Sequence, residues 1–201
     1  MKRLLFMIFI SISIYSFSVP AKMIFKEQIF GLYENNLNSN VTDHKRNIFW
    51  LENSMKLPNI HPSQAIIITK TWPEYVKYKM LLNFNINYLL TKEYVDWGWE
   101  FDKRDVVFYN MEWADKLKES FAIAKTRYEI AKYYWEETKK WSSLAYKQNL
   151  EIGWGQIEDL NYEIENGLYD YDYGMIIQNR LDGLKEKIKK IDDYIAANSK
   201  K

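Results

Sequence analysis

The sequence predicts an all-α protein, and three observations point to that fold class. Glycine (7) and proline (4) are scarce among the 201 residues, which disfavours a turn-rich β-sandwich. Apolar residues recur at every third or fourth position over long stretches, which is the period of a helix with one buried face. Aromatic residues make up 17% of the chain, so the helices are expected to enclose an aromatic interior or to present an aromatic face.

The first residues have the pattern of an export signal. Two basic residues precede an unbroken apolar run from Leu4 to Phe17, and small residues follow at Val19 and Ala21. We therefore assign residues 1–21 to a signal peptide and residues 22–201 to one α-helical domain, with an uncleaved anchor as the alternative fate of the apolar run. The expected location is outside the cytoplasm, in the periplasm.

Charge and cysteine content exclude several kinds of partner and chemistry. The chain has 28 basic and 27 acidic residues, and loss of Lys2 and Arg3 leaves 26 against 27, so no nucleic-acid partner is expected. Membrane contact is expected only through the N-terminal signal, if it is uncleaved. Cysteine is absent, which excludes disulfides, thiolate metal sites and a cysteine nucleophile.

The N-terminal half predicts two short helices and one long one. Loosely helical patterns at residues 24–32 and 42–56 predict the short helices. The sequence TWPE (71–74) predicts the start of the long helix, because it offers a capping threonine, a proline in the first turn and a glutamate to complete a capping box. This helix is predicted to run to about Tyr94. Its apolar residues lie on more than one side, so it is expected to be buried between other helices.

The longest helical pattern runs from about Met111 to Ile152, with Asn110 as the predicted cap and glycines at 153 and 155 ending it. Its apolar and small residues alternate by 4 and 3 positions, which is a heptad seam. The seam consists of Leu117, Phe121, Ala124, Tyr128, Ala131, Trp135, Thr138, Ser142 and Ala145. A second stripe on a neighbouring face (Ile123, Ile130, Tyr134, Trp141 and Leu144) predicts a second helical neighbour.

A short helix is predicted from Gln156 to Asn166, and a last helix from about Met175 to Ala197 with Asp170 or Asp172 as its cap. The last helix has a narrow apolar stripe, which is typical of packing on one other helix. The stripe consists of Ile177, Leu181, Leu184, Ile188, Ile191 and Ile195. We predict that it packs on the long helix in an elongated, coiled-coil-like antiparallel hairpin, and another molecule is the alternative acceptor.

The stretch YVDWGWEFD (94–102) supports two interpretations. As a sugar site, it would stack a ring on Trp97 or Trp99, with Asp96, Glu100 or Asp102 supplying acid and base. As a connector, it would plug its rings between two helices and leave its acids in water. We favour the connector. Trp154, between two glycines, has the same ambiguity: a contact residue if exposed, and a plug for the turn if tucked in.

Sites for metals, cofactors and nucleophilic catalysis are not predicted. The two histidines, His44 and His61, are separated by a proline-containing loop and have no companion ligands. The stretch DYDYG (170–174) superficially resembles a calcium loop, but the fifth and twelfth positions, Gly174 and Leu181, carry no oxygen ligand on their side chains. No glycine-rich phosphate loop is present.

These features predict a non-enzymatic interaction protein of the bacterial cell envelope, such as a scaffold, adaptor or chaperone-like subunit, that binds another protein or itself. The candidate contact residues are Trp97, Trp99, Trp154, Leu181, Leu184, Ile188 and Ile191. The alternative is an envelope glycan-binding protein or hydrolase that uses the tryptophan-rich turns. A carrier of apolar ligands between the helices would also explain the aromatic content, and it would require an interior cavity.

Overall fold

The computed structural model describes residues 23–107, 110–168 and 172–198, and this part of the chain is helical without strands, which confirms the predicted fold class. The helices are α1 (Lys26–Ser39), α2 (His44–Met55), α3 (Trp72–Phe101), α4 (Met111–Tyr146), α5 (Gly155–Asn166) and α6 (Tyr173–Asn198), with a 3₁₀ turn at Pro62–Gln64. None of the helices in these ranges combines the length and apolarity that crossing a membrane requires. The predicted signal, residues 1–21, lies outside the described residues.

Four helices begin at a side chain that accepts a hydrogen bond from a backbone amide of the first turn. The caps are Asp43, Thr71, Asn110 and Asp172, at distances of 3.1, 3.4, 2.8 and 3.2 Å. Such a bond satisfies one of the donors that a helix leaves free at its start. The predicted caps Thr71, Asn110 and Asp172 are confirmed, and Asp170 lies outside the described residues.

Helix α4 lies between α3 and α6 and has contacts with both. Along α6, Lys118 pairs with Asp192 at 2.6 Å and Lys132 donates to Gln178 at 3.3 Å, so the two helices run antiparallel. All nine residues of the predicted seam on α4 are buried. The seam prediction is therefore confirmed. The second stripe is covered only in part, since Ile130, Tyr134 and Trp141 are half-buried whereas Ile123 and Leu144 are exposed, and α4 also contacts a third helix, α5.

Helix α3 is covered on several sides, as its apolar pattern predicted. It runs antiparallel to α4, with Tyr94 stacked on Tyr134 at 5.7 Å between ring centroids. Helix α2 packs on another side of α3, and α1 packs on α2 and reaches α3 through the hydrogen bond from Tyr78 to Glu27; Phe30 and Leu51 are among the residues buried there. Each large apolar side chain removed from water in this way contributes roughly 1.5–3 kcal/mol.

Helix α3 is longer than predicted: it continues past Tyr94 to Phe101, so the prediction of a connector at residues 94–102 is wrong. Gly98 would destabilise an isolated helix, because glycine has a low helix propensity. Here it lets the ring of Tyr128 approach so closely that an added Cβ would lie 2.6 Å from a ring carbon. Packing of α3 on α4 thus outweighs the low helix propensity of glycine.

Replacing Gly98 by alanine is expected to lower the free energy of unfolding by about 1 kcal/mol. Forcing a methyl group against Tyr128 costs about 1–3 kcal/mol, and the gain in helix propensity offsets about 1 kcal/mol of it. The control is Gly183→Ala on α6, where a Cβ meets nothing within 4 Å and stabilisation of about 0.5–1 kcal/mol is expected. Denaturant titration measures both changes. Equal stabilisation by both variants would contradict the close contact between Gly98 and Tyr128.

Helix α4 is shorter than predicted: it ends at Tyr146 rather than at Ile152. Asn149 adopts a positive φ of 41°, a left-handed conformation that asparagine tolerates better than most residues and that a helix does not continue through. The backbone carbonyl of Leu150, turned out of the helical path, accepts a hydrogen bond from the ammonium group of Lys77 on α3.

Candidate functional site

The two tryptophans of the stretch 94–102 lie on the last turns of α3, and each is covered by an arginine from a neighbouring helix. Trp97 is half-buried, with the guanidinium of Arg127 on α4 at 3.6 Å from its ring centroid. Trp99 is 57% exposed, with the guanidinium of Arg180 on α6 at 4.2 Å. Stacked cations of this kind contribute roughly 0.5–1 kcal/mol at exposed sites and about 2 kcal/mol when shielded from water. One face of each ring is therefore already occupied.

Asp102, which follows the last residue of α3, is buried and has cationic and hydroxyl partners from two other helices. Its carboxylate accepts from Lys187 of α6 at 2.6 Å and from the hydroxyl of Tyr128 on α4 at 3.2 Å. Arg180 lies 3.8 Å away. We call these four residues the Asp102 cluster. A carboxylate removed from water is tolerated only with such partners, so the cluster ties α3, α4 and α6 together.

The phenol of Tyr128 remains protonated in this setting. Burial raises the pKa of Tyr128 above its ordinary value, and the negative charge of Asp102 raises that pKa further. The hydroxyl therefore keeps its proton and donates a hydrogen bond to the carboxylate.

The acids of this stretch do not form the facing pair that glycoside hydrolysis uses. Asp96 and Glu100 are exposed, one helical turn apart on the surface of α3, as the sequence predicted. Asp102 was also predicted to lie in water, and this prediction is wrong because Lys187 and Tyr128 hold it in the interior. Hydrolysis requires two carboxyl groups on opposite sides of a bound sugar, at least roughly 5 Å apart. These three acids enclose no such space.

Trp154 precedes α5 and packs inward. Its ring stacks on Tyr78 of α3, with 5.5 Å between centroids and 25° between planes. Its backbone amide donates to Glu158 at 2.9 Å. These contacts favour the interpretation of Trp154 as a ring that packs inside the turn over its interpretation as an exposed contact residue.

A groove of about 1020 Å³ lies beside this turn and opens to solvent. Lys77 and Glu158 form an ion pair at 3.2 Å in its wall, and Tyr146 and Tyr162 also line it. The charged wall makes this groove unlike the apolar interior cavity that a carrier of apolar ligands would require.

The apolar stripe of α6 faces the core of its own chain. Ile177, Leu184 and Ile191 are buried, and Leu184 is only 1% exposed. Leu181 and Ile188 are half-buried and pack on the edge of the same core. Of the candidate contact residues, Leu184 and Ile191 are thus covered within the chain, and Trp99 is the most exposed.

Sequence reasoning missed the cations of the Asp102 cluster, although a signal for them exists. Arg180 and Lys187 alternate with the buried residues Ile177, Leu184 and Ile191 at spacings of 3 and 4, so they lie on the same face of α6. Cations on the buried face of a helix require a carboxylate partner. That signal predicts a buried acid but not which one.

A second group of buried polar residues also escaped prediction. Glu93 of α3 accepts from Asn47 of α2 at 3.1 Å and lies 2.7 Å from the Nδ1 atom of His44. Burial raises the pKa of Glu93, and the hydrogen bonds from His44 and Asn47 act in the opposite direction. Asn47 and His44 lie 46 and 49 positions before Glu93 in the chain, too far for any local sequence pattern to reveal these contacts.

In the described ranges, no group of three or more histidine, cysteine, aspartate or glutamate residues is placed to hold a metal ion. The family described as Domain of unknown function (DUF8513) matches residues 73–194, more than half of the chain, and the chain belongs to this family. The matched range includes Trp99 and the whole Asp102 cluster and excludes α1 and α2. No curated protein and no solved structure matches the chain.

Proposed function

We propose that this member of the DUF8513 family is an exported, non-enzymatic helical protein of the bacterial cell envelope that binds other proteins, as a scaffold, adaptor or chaperone-like subunit. The signal pattern of residues 1–21 supports export. The single observation that carries the binding role is the pair formed by Trp99 and Arg180 on the surface where α3 meets α6.

This pair has the properties of a protein-contact hot spot. Trp99 leaves 57% of its surface in water, where a large aromatic ring gains most from being covered by a partner. Tryptophan and arginine are the residue types that are most enriched among residues dominating binding energy.

Arg180 also orders the pair before any partner arrives, because it contacts both the Trp99 ring and the buried Asp102. A side chain that is ordered in advance loses less conformational entropy on binding. The exposed indole is therefore presented in one orientation.

The glycan-binding alternative is supported by the same exposed indole. A sugar ring stacks on an aromatic face, and Trp99 has one face that Arg180 does not cover. The absence of a facing carboxyl pair among Asp96, Glu100 and Asp102 favours binding over hydrolysis within that alternative.

A photo-reactive amino acid placed at position 99 of the full-length protein tests the proposal in the cell that makes it. The expected result is a covalent adduct with a defined envelope protein. The control is the same substitution at Trp72, which is 66% exposed at the other end of α3 and should not give that adduct. No protein adduct at position 99, or the same adducts at both positions, would contradict the proposal.

The variant Trp99→Ala distinguishes glycan binding from protein binding when its binding to cell-wall glycan is measured. If this variant loses binding to protein-free cell-wall glycan that the unmodified protein retains, the glycan alternative replaces the protein-contact proposal. Circular dichroism should show that the variant keeps its helical fold, since the Trp99 ring lies outside the core.

A further inference from the structure

Five large apolar side chains are exposed at one end of the molecule, where α3 begins. They are Met23, Ile24, Ile66, Ile68 and Trp72, and we call them the apolar end. Ile68 is 83% exposed and Trp72 is 66% exposed. Scattered single apolar residues are normal on a protein surface, whereas a group of them marks a contact surface.

Hydrogen bonds bring the two segments of the apolar end together. The backbone amide of Ile66 donates to the hydroxyl of Tyr78 at 3.3 Å, and this hydroxyl donates to Glu27 of α1 at 3.0 Å. Residues 23–24 lie just before Glu27 in the chain. The start of the described chain and the segment before α3 are therefore fixed next to each other.

The segment 65–70 turns alternate side chains outward. Ala65, Ile67 and Thr69 are half-buried against the body, while Ile66, Ile68 and Lys70 are exposed. The inward residues account for how the segment attaches to the body. The outward side chain of Ile68, which is 83% exposed, contributes little to that attachment, so its apolar character has no explanation within the fold.

Two cationic side chains, Lys70 and Lys79, lie near Trp72 in this apolar surface. Lys79 lies 5.3 Å from the ring centroid of Trp72, and the exposed Lys70 precedes Trp72 by two positions, with the half-buried acid Glu74 in the same turn. Tryptophan with flanking lysines is typical of the boundary between lipid headgroups and acyl chains, where the ring has one apolar and one polar side and lysine reaches the phosphates.

The chain also enters the body at this end. The apolar run Leu4–Phe17 is separated from Met23 by the five residues 18–22. Five extended residues reach at most roughly 18 Å. A membrane that contains the apolar run, before cleavage or in an uncleaved anchor, therefore lies within reach of the apolar end.

We propose that the apolar end rests on the surface of a lipid bilayer, with Ile68 and Trp72 at the headgroup–acyl boundary and Lys70 and Lys79 at the phosphates. This surface is separate from the proposed protein contact. Trp72 and Trp99 are 27 positions apart on α3, which is about 40 Å along a helix. The body is thereby oriented with the Trp99–Arg180 pair directed away from the membrane.

Co-sedimentation of residues 22–201 with vesicles of phosphatidylethanolamine and phosphatidylglycerol tests this inference without the apolar run. The buried core described above lies between Ile29 and Ile191, so this chain retains it. Binding is expected, and Ile68→Asp combined with Trp72→Ala should lower the bound fraction at least fivefold. The matched control is Val41→Asp. Val41 is 64% exposed, and its backbone carbonyl accepts from Asn47, which also bonds Glu93, so this position lies far from the start of α3. The control variant should bind as the unmodified chain does.

Three results would overturn the inference: no binding to the vesicles, equal binding by the double variant, or an equal loss in Val41→Asp. A native mass above that of the monomer that falls to the monomer in the double variant would also overturn it, because the apolar end would then join two copies. Denaturant titration of each variant checks that its fold is retained. The photo-reactive test at position 99 is unaffected by any of these results, so the two proposals fail separately.

Discussion

Replacing Asp102 by alanine is expected to lower the free energy of unfolding by about 3 kcal/mol. The substitution leaves the ammonium of Lys187, whose side chain is only 19% exposed, and the hydroxyl of Tyr128 without their shared acceptor. Breaking a buried ion pair by removing one partner costs about 3–5 kcal/mol. The lower end applies because Lys187 retains some contact with water. Denaturant titration followed by circular dichroism measures the change.

Glu100→Ala is the control for this prediction. Glu100 lies two positions earlier on the same helix with its carboxylate in water, and its loss is expected to change stability by less than about 0.5 kcal/mol. If the two variants are equally stable, the Asp102 cluster does not tie the three helices together.

Replacing Leu184 by alanine is also expected to lower the free energy of unfolding by about 3 kcal/mol. Leu184 is 1% exposed in the stripe of α6, and truncating a buried leucine typically costs about 2–5 kcal/mol through lost burial and the cavity that remains. The matched control is Leu168→Ala, since Leu168 is exposed and should cost less than about 0.5 kcal/mol.

The Leu184 result separates packing within the chain from packing against a partner. If the stripe of α6 served only another molecule, Leu184→Ala would leave the stability of the isolated monomer unchanged. We expect Leu184→Ala to lower the free energy of unfolding by the same amount at every protein concentration, including low concentrations at which the chain is monomeric.

The parts of the fold that depend on local patterns could be predicted from the sequence. The seam of α4 was predicted in full because burial on a helix repeats every three or four residues, and this repeat is visible from Leu117 to Ala145. The caps Asn110 and Asp172 were predictable for the same reason, since a capping side chain bonds within its own first turn.

The parts that depend on distant residues could not be predicted. Helix α3 passes through Gly98, where the ring of Tyr128 on α4 packs against the backbone and offsets the low helix propensity of glycine. Asp102 is buried with Lys187 as a partner, which lies 85 positions later and is brought to it by the packing of α6. Local propensity favours solvent for a lone aspartate and a break at glycine, and tertiary contacts reversed both expectations.

The exposed state of Trp99 is likewise set by tertiary structure. The sequence placed Trp97 and Trp99 in one stretch and offered no basis for distinguishing them. Their neighbours on α3 put one ring against the core and the other in water, and Arg127 and Arg180 then cover one face of each. The distinction between a packing residue and a contact residue thus comes from the helix face and not from the residue type.

The central claim is that the apolar stripe of α6 completes the core of its own chain and is not a surface for partners, unlike the proposed contacts at Trp99 with Arg180 and at the apolar end. Because the chain has no cysteine, Lys118→Cys with Asp192→Cys can be joined by a short bis-maleimide without background reaction. The claim predicts a monomer of intact mass carrying one linker within the chain, since these positions face each other across α4 and α6. Lys118→Cys with Gln178→Cys is the control, because position 178 is roughly 21 Å further along α6 and should remain unjoined. Linked dimers from the first pair, or linkage within the chain in the control, would contradict the claim.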